Sequence, residues 1–311
     1  MRIISLLASA TEIIDALGCF EQLVGRSHEC DYPPEVQRLP LVSMPLIDTG
    51  TSSSQIDAQV KHLAHEKELV QNNALRALSI YRIDTALLQQ LQPDVIFTQT
   101  QCEVCAVSER DVTNALQQTT GLHPRVVSLA PYQLRDVWED VVRVSKALGR
   151  QEQAQQLVQG YQQRLERLQQ RTEGLPRPQV AVLEWLDPLM AAGNWVPELI
   201  AYSGGEAVFG ETGMHSSWLQ WDELVAADPD VLILSPCGFS LNRTLEDYAL
   251  LQQHPQWSTL RAVQQGRVYA IDGNYYLNRS GPRLVESAEL LAHAIHGIPI
   301  DAEISGLQHL G

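Results

Sequence analysis

The chain has 311 residues, 44% hydrophobic and 19% charged, enough to bury the cores of two α/β domains of ordinary size. A formal net charge of −15, with no Lys/Arg-rich run, speaks against nucleic acid as a partner. Five cysteines, an odd number scattered over a long chain, do not suit a disulfide framework and point to reduced thiols and a cytoplasmic setting.

The chain opens with MRIISLLASATEIIDALGC. We read it as a strand, Arg2 to Leu6, then a helix capped near Ser9 or Thr11. Ile13, Ile14 and Leu17 form the buried face of that helix, and Gly18 ends it. The same stretch has the outline of a signal peptide, with Cys19 at a lipoprotein-like position. Its apolar run is short, however, holds two serines, and is followed by Glu12 and Asp15. Mature structure is therefore expected, and a cytoplasmic location rather than a periplasmic or lipid-anchored one. No segment is long and apolar enough to predict a membrane span.

Residues 50–80 open with small polar residues and turn helical near Ser54, which predicts an inserted surface helix with His62 and His65 facing solvent. Next comes LLQQLQPDVIFTQ (87–99): an amphipathic helix, Pro-Asp, then an apolar strand. The same order returns in ELVAADPDVLILSP (223–236). Each is followed by a basic residue leading into another strand, Arg125–Leu129 and Arg267–Ile271, and the second half opens with its own strand at Gln179–Leu183. Apolar strands without polar alternation, joined by helices, predict parallel sheets covered on both faces. The expected class is α/β, with two Rossmann-like lobes, 1–130 and 176–311, and linking helices over 131–175. Within the linker, Leu157, Tyr161, Leu165 and Leu168 have helical spacing, and Pro176 and Pro178 stop the run. The helix predicted over 151–173 is about 35 Å long at 1.5 Å per residue, a rigid strut joining the lobes.

In parallel sheets ligands gather at the carboxyl ends of the strands. The residues read there are His28, Glu29 and Cys30 in the first half, with Gln99, Cys102 and Cys105 after the strand that ends near Phe97. In the second half they are Trp185, Asn194, Trp195, Cys237, Tyr275, Tyr276 and Arg279. Arg279 suits a ligand carboxylate or phosphate, or a neighbouring acidic side chain; Pro282 fits the first position of a following helix. Aromatic, thiol and polar groups at strand ends fit a flat, partly apolar small-molecule ligand. Ordinary packing gives the same composition, because free cysteine is often a small buried hydrophobe.

Several stretches together resemble one known family: RIISLLASATEIIDALG, LVGRSHECDYPPEV, LQPDVIFTQ, the linking helix, WDELVAADPDVLIL, GRVYAID and SGPRLVESAELLA. They are similar to the cobalamin and iron-siderophore substrate-binding proteins of ABC transporters. SHECDYPPEV points to the cobalamin branch, and CEVCAVS to a subgroup without signal peptides. The resemblance implies a class III periplasmic-binding-protein-like fold, two α/β lobes on one long helix, a corrinoid or related tetrapyrrole clamped between them, and no catalysis. Family receptors meet a permease through an acidic residue on each lobe. Asp222 or Glu223 fits on the second lobe, but the first-lobe position is Ala86 with Asp84 only nearby, which speaks against permease docking. Family receptors also cradle the corrin ring with tryptophan; here Gln99 stands at that strand end, and Trp185, Trp195, Trp218 and Trp221 are the candidates to replace it.

Three readings of the thiols stay open. They are packing groups, a metal site for Zn or Fe formed by His28, Cys30, Cys102 and Cys105, or a redox pair at Cys102 and Cys105 ahead of a helix capped by Ser108 and Asp111. No Ser-His-Asp order, phosphate loop or carboxylate pair makes a catalytic case. The expected function is a corrinoid or tetrapyrrole binding protein, with a metal-binding protein or an enzyme on the same scaffold as the alternative.

Overall fold

The computed structural model describes residues 1–69, 81–101, 106–301 and 304–311. The chain folds as two compact units. The first holds Met1–Pro131 and Trp138–Leu157, the second Tyr132–Val137 and Val158–Gly311.

The first unit is built on strands β1 (Ile3–Ser5) and β2 (Leu23–Arg26), a separate pair of β3 (Ser43–Pro45) with β4 (Tyr81–Ile83), and strands β5 (Val95–Gln99) and β6 (Arg125–Leu129). Four of these form a parallel sheet in the order β2-β1-β5-β6, while β3 and β4 pair antiparallel by themselves. Helices α1 (Ala8–Ala16), α2 (Ser53–Leu69), α3 (Thr85–Leu91) and α4 (Glu109–Gln117) alternate with the strands. The insert predicted over 50–80 is thus helical over α2; residues 70–80 lie outside the described residues, and His62 is exposed. Ser108 caps α4 through the expected reciprocal bonds with Asp111. The central position of β1 explains its unbroken IIS sequence. Ile3 and Ile4 are fully buried, and Ile4 packs in one core with Leu6, Leu88, Ile96, Val107 and Val112.

Two helices carry the chain from unit to unit. The first turn of α5 (Leu134–Leu148) groups with the second unit and the rest with the first; α6 (Gln151–Thr172) changes unit at Leu157/Val158. In the second unit the Leu134 N–H at the start of α5 donates to Glu198 Oε2 at 2.7 Å. Burial raises the Glu198 pKa, and that bond opposes the rise.

The second unit contains β7 (Gln179–Leu186), β8 (Leu189–Ala191), α7 (Val196–Tyr202), β9 (Glu206–Ala207), β10 (Ser217–Trp218), α8 (Trp221–Ala227), β11 (Val231–Leu234), α9 (Leu241–Leu251), α10 (Arg261–Gln264), β12 (Val268–Ile271), α11 (Leu284–His296) and β13 (Leu307–His309). The sheet order is β10-β8-β7-β11-β12-β13, with β9 also on β7. Its centre, β7-β11-β12, is parallel as expected, whereas β8, β10 and β13 add antiparallel edges. Leu183, Leu224, Leu232, Leu234 and Leu260 fill the core beside this centre.

The Pro-Asp repeat has one structural cause in both units. Asp94 donates its N–H to Arg2 O and accepts the Arg2 N–H on Oδ2 at 2.7 Å. Asp230 does the same with Gln179, its Oδ2 accepting at 2.9 Å. Each aspartate therefore pins the start of an inner strand to the strand beside it. The residue before each proline, Gln92 or Asp228, caps the preceding helix in the left-handed region at φ 45° or 42°. The chain turns from helix to strand there, and the proline cannot continue the helix.

Two outcomes follow from this packing and these hydrogen bonds. Ile4→Ala should cost about 2–5 kcal/mol of stability by urea unfolding, and removal of residues 1–18 should leave no cooperative first unit by circular dichroism; a truncated chain that melts like the full one contradicts this. Asp230 has its pKa lowered below the ordinary 3.8, first by the Gln179 N–H and then, against a smaller cost of burial, by Arg261. A depressed folded pKa contributes stability that is present above the unfolded value and lost as pH falls through the folded one. Asp230→Asn should therefore cost at most about 1 kcal/mol at pH 7, given its partial exposure, and the gap should narrow below about pH 4. A gap of equal size at both pH values contradicts this assignment.

Candidate functional site

At the carboxyl edge of the first sheet the β2 strand leads into Ser27–Cys30. The Ser27 N–H donates to Ser5 O, tying this loop to the end of β1. Cys30 is fully buried. Its sulfur accepts from Thr11 Oγ1 at 3.0 Å and lies 3.2 Å from Ser27 Oγ and 3.6 Å from Ser5 O. Cys30 is thus a hydrogen-bonded core thiol that joins loop 27–30 to β1 and α1. His28 packs against Tyr81 of β4, ring centroids 5.1 Å apart. Both of its ring nitrogens are shielded from solvent and lack a hydrogen-bond partner. Nε2 lies 3.0 Å from Glu29 Oε1 but is not aligned for a hydrogen bond. Gln99 is buried at the end of β5 and donates from Nε2 to Ala106 O, while Thr98 Oγ1 donates to Val107 O.

Cys102 and Cys105 lie outside the described residues, so of the four expected metal ligands the structure places His28 and Cys30 alone. Among the described residues, no group of three or more His, Cys, Asp or Glu side chains could hold a metal ion.

In the second unit the carboxyl edge of β7, β11 and β12 carries a denser set of groups. β7 runs to Leu186, so Glu184 and Trp185 lie within the strand rather than after it. Trp185 packs on Phe239 with centroids 5.2 Å apart, and its Nε1 is buried without a partner. Cys237, half-buried after β11, donates its N–H to Glu184 O. After β12, Asp272 accepts the N–H groups of Asn274 and Tyr275 at 3.0 Å and of Leu241 at 3.2 Å. Burial raises the Asp272 pKa; these three N–H groups and Arg279 oppose the rise. Gly273 is required there, because a Cβ would collide with the Pro236 carbonyl.

Tyr275 carries two guanidinium groups against its ring, Arg283 at 4.7 Å and Arg279 at 5.7 Å. Arg279 also donates to Asn274 Oδ1 at 3.1 Å. Both arginines are more than nine-tenths buried, as is Tyr276. Two cations against one aromatic ring concentrate donors and positive charge at this edge, a combination that suits oxygen-bearing substituents on a flat molecule.

Two further sequence readings need correction. β8 runs antiparallel to β7, so Asn194 and Trp195 follow a strand end that points away from the carboxyl edge of β7. Trp195 is buried and donates its Nε1 to Leu277 O at 2.7 Å, a packing role. Pro282 precedes the N-cap of α11, Arg283, and does not occupy the first helical turn. Of the other tryptophans, Trp221 stacks on His254 at 3.7 Å and Trp218 is exposed on β10. Sequence reasoning missed Tyr81, which enters from a three-residue strand with no periodic signal. It also missed Phe239, whose only cue is its place two residues after Cys237.

Known proteins share this architecture. The chain is 24% identical over 304 residues to the ABC transporter substrate-binding lipoprotein YvrC of Bacillus subtilis, covering 95% of this chain and 80% of that one. It is 24% identical over 296 residues to a vitamin B12-binding protein of Vibrio cholerae, covering 93% and 86%. A periplasmic heme binding protein from Pseudomonas aeruginosa superposes with a TM-score of 0.71 at 19% identity, covering 98% and 96%. The periplasmic vitamin B12 binding protein of Vibrio cholerae superposes with 0.64 at 20%, covering 94% and 96%. The model of one family, periplasmic binding protein, matches residues 3–275, and the chain belongs to that family.

Proposed function

We propose that this protein binds a corrinoid, a cobalamin-like tetrapyrrole chelate, and that it does so in the cytoplasm. The observation that carries the ligand reading is the aromatic and cationic carboxyl edge of the second unit, on a chain of the periplasmic binding protein family. A corrinoid offers a broad apolar ring face and a rim of amide and carboxylate oxygens. Trp185, Phe239 and Tyr275 supply faces for the ring, and Arg279 and Arg283 supply donors for the rim. The vitamin B12-binding relative of Vibrio cholerae, similar over 93% of this chain, supports a corrinoid. Heme-binding structures of the same fold make heme the comparison ligand. Binding of this kind needs no resident zinc or iron; the metal arrives within the ligand.

The location rests on the N-terminal stretch. β1 is an inner strand, with Ile3, Ile4, Ile13 and Ile14 fully buried. Processing at Cys19 would strip β1 and α1 from the first unit, which favours a protein that keeps them. The absence of disulfides at Cys19, Cys30 and Cys237 is compatible with a reducing compartment.

Titration with hydroxocobalamin or cobinamide should quench tryptophan emission saturably, with micromolar or tighter affinity. Arg279→Ala should weaken that binding about tenfold, near the 1.4 kcal/mol of one modest charged contact. Flat titrations with every corrinoid, or quenching by heme alone, would contradict the reading. Protein recovered from its host should carry residues 2–19 and partition with the soluble cytoplasmic fraction. A lipid-linked form beginning at Cys19 would contradict the location.

A further inference from the structure

The aromatic and cationic edge of the second unit is carried by two loops. Loop 235–240, after β11, brings Phe239; loop 272–283, after β12, brings Tyr275 and Arg279. One side chain joins the two. Asp272 Oδ1 accepts the N–H groups of Asn274 and Tyr275 in its own loop, each at 3.0 Å. Its Oδ2 accepts the Leu241 N–H at 3.2 Å, at the start of α9. The Asp272 backbone is engaged as well, its N–H donating to Gly306 O and its carbonyl accepting from Tyr276. Tyr276 O in turn accepts the Arg279 N–H at 2.8 Å. Beside this hub the Asn274 N–H reaches Phe239 O at 3.0 Å, and the Gly238 N–H reaches Gly273 O at 3.3 Å. An ionised carboxylate only accepts, so three N–H groups can converge on it. A protonated one carries a donor of its own and meets fewer of them.

We propose that Asp272 is a positioning residue for the ligand: its ionised carboxylate holds loop 272–283 to the start of α9, and so sets the Tyr275 ring and the Arg279 guanidinium relative to Phe239. The inference rests on the corrinoid reading and adds a pH dependence to it. Every group it uses lies in the second unit. Arg279 acts on Asp272 from its own loop. From α9 the Leu241 N–H faces it; the first charge on that helix, Arg243, is engaged by Glu246 and Asp247. From the C-terminal segment Gly306 faces it, where a Cβ would meet the Tyr276 ring and the Asp272 Cβ. Burial raises the Asp272 pKa above the ordinary 3.8, so this carboxylate takes up a proton before an exposed aspartate does. A group with a raised folded pKa contributes stability that is present at low pH and lost as pH rises. Proton uptake by Asp272 therefore loosens the ligand surface without itself unfolding the unit.

The test titrates the full chain with cyanocobalamin, which carries no group that titrates near neutral pH, and follows tryptophan emission. Affinity is measured from about pH 7 down to about pH 4, with circular dichroism confirming the fold at each step. The wild-type affinity should fall as the pH is lowered. Asp272→Asn keeps the shape of the side chain and cannot ionise. It should bind about tenfold more weakly at pH 7 and lose the acid-dependent part of the profile. Combined with Tyr275→Ala, it should cost little beyond Tyr275→Ala alone, because it acts through that ring; independent roles add. Wild-type binding that is flat with pH, an Asp272→Asn profile parallel to the wild type, or additive losses in the double variant each overturn the inference and leave the corrinoid reading standing. No binding by the wild type at any pH overturns both. Should Asp272→Asn fail to fold, Gly306→Ala presses on Tyr276 and Asp272 from the C-terminal segment and keeps the carboxylate. It enters the same cycle with Tyr275→Ala, where additive losses again overturn the inference.

Discussion

The fold depends on a reciprocal pair of hydrogen bonds made twice. Asp94 with Arg2, and Asp230 with Gln179, each exchange an N–H for a carbonyl and a carboxylate for an N–H. One residue thereby sets the start of two neighbouring parallel strands. Parallel pairing is sensitive to such anchoring, because its partners are far apart in sequence and no tight turn sets their register. Once the starts are fixed, β1 with β5 and β7 with β11 run in register from Ile3 beside Val95 and from Val180 beside Val231. Their far ends then come level and form the carboxyl edges where the polar groups collect. In the second unit Arg261 adds to the clamp by bonding both Asp228 and Asp230.

From the edges outward the two units differ. The first closes its loop 27–30 with small polar groups around a buried thiol and leaves an imidazole unsatisfied. The second builds upward from Asp272, which orders the loop after β12 and so holds Tyr275 against two buried arginines. Burying a guanidinium is costly unless it is stacked or bonded, and Tyr275, Tyr276 and Asn274 meet that need before any ligand arrives. This preformed cluster of aromatic and cationic groups is the feature from which the corrinoid proposal is argued.

Much of this was legible in the sequence because its signals are strong and local. Continuous apolar runs such as VIF and VLIL mark strands covered on both faces, the repeated Pro-Asp marks strand starts, and Leu157, Tyr161, Leu165 and Leu168 mark the long helix. The edges were not legible. Strands such as Leu189–Ala191 and Ser217–Trp218 are two or three residues long and exist only through pairing, so their antiparallel direction carries no periodic trace. Taking the end of Leu189–Ala191 for a carboxyl edge is what put Asn194 and Trp195 among the candidate ligand groups. The thiols show a second limit. A cysteine enclosed by Thr11 and Ser27 and one open to a ligand are the same letter, and only the hydrogen bonds around Cys30 separate the two.

The claim on which this account turns is that a corrinoid is the ligand. The most direct measurement is the absorption spectrum of the protein isolated from its own host, repeated after incubation with hydroxocobalamin and gel filtration. The account predicts corrin bands that travel with the protein, at one equivalent per chain once it is saturated. A heme or iron–sulfur spectrum, or a protein that emerges colourless after incubation, would contradict it.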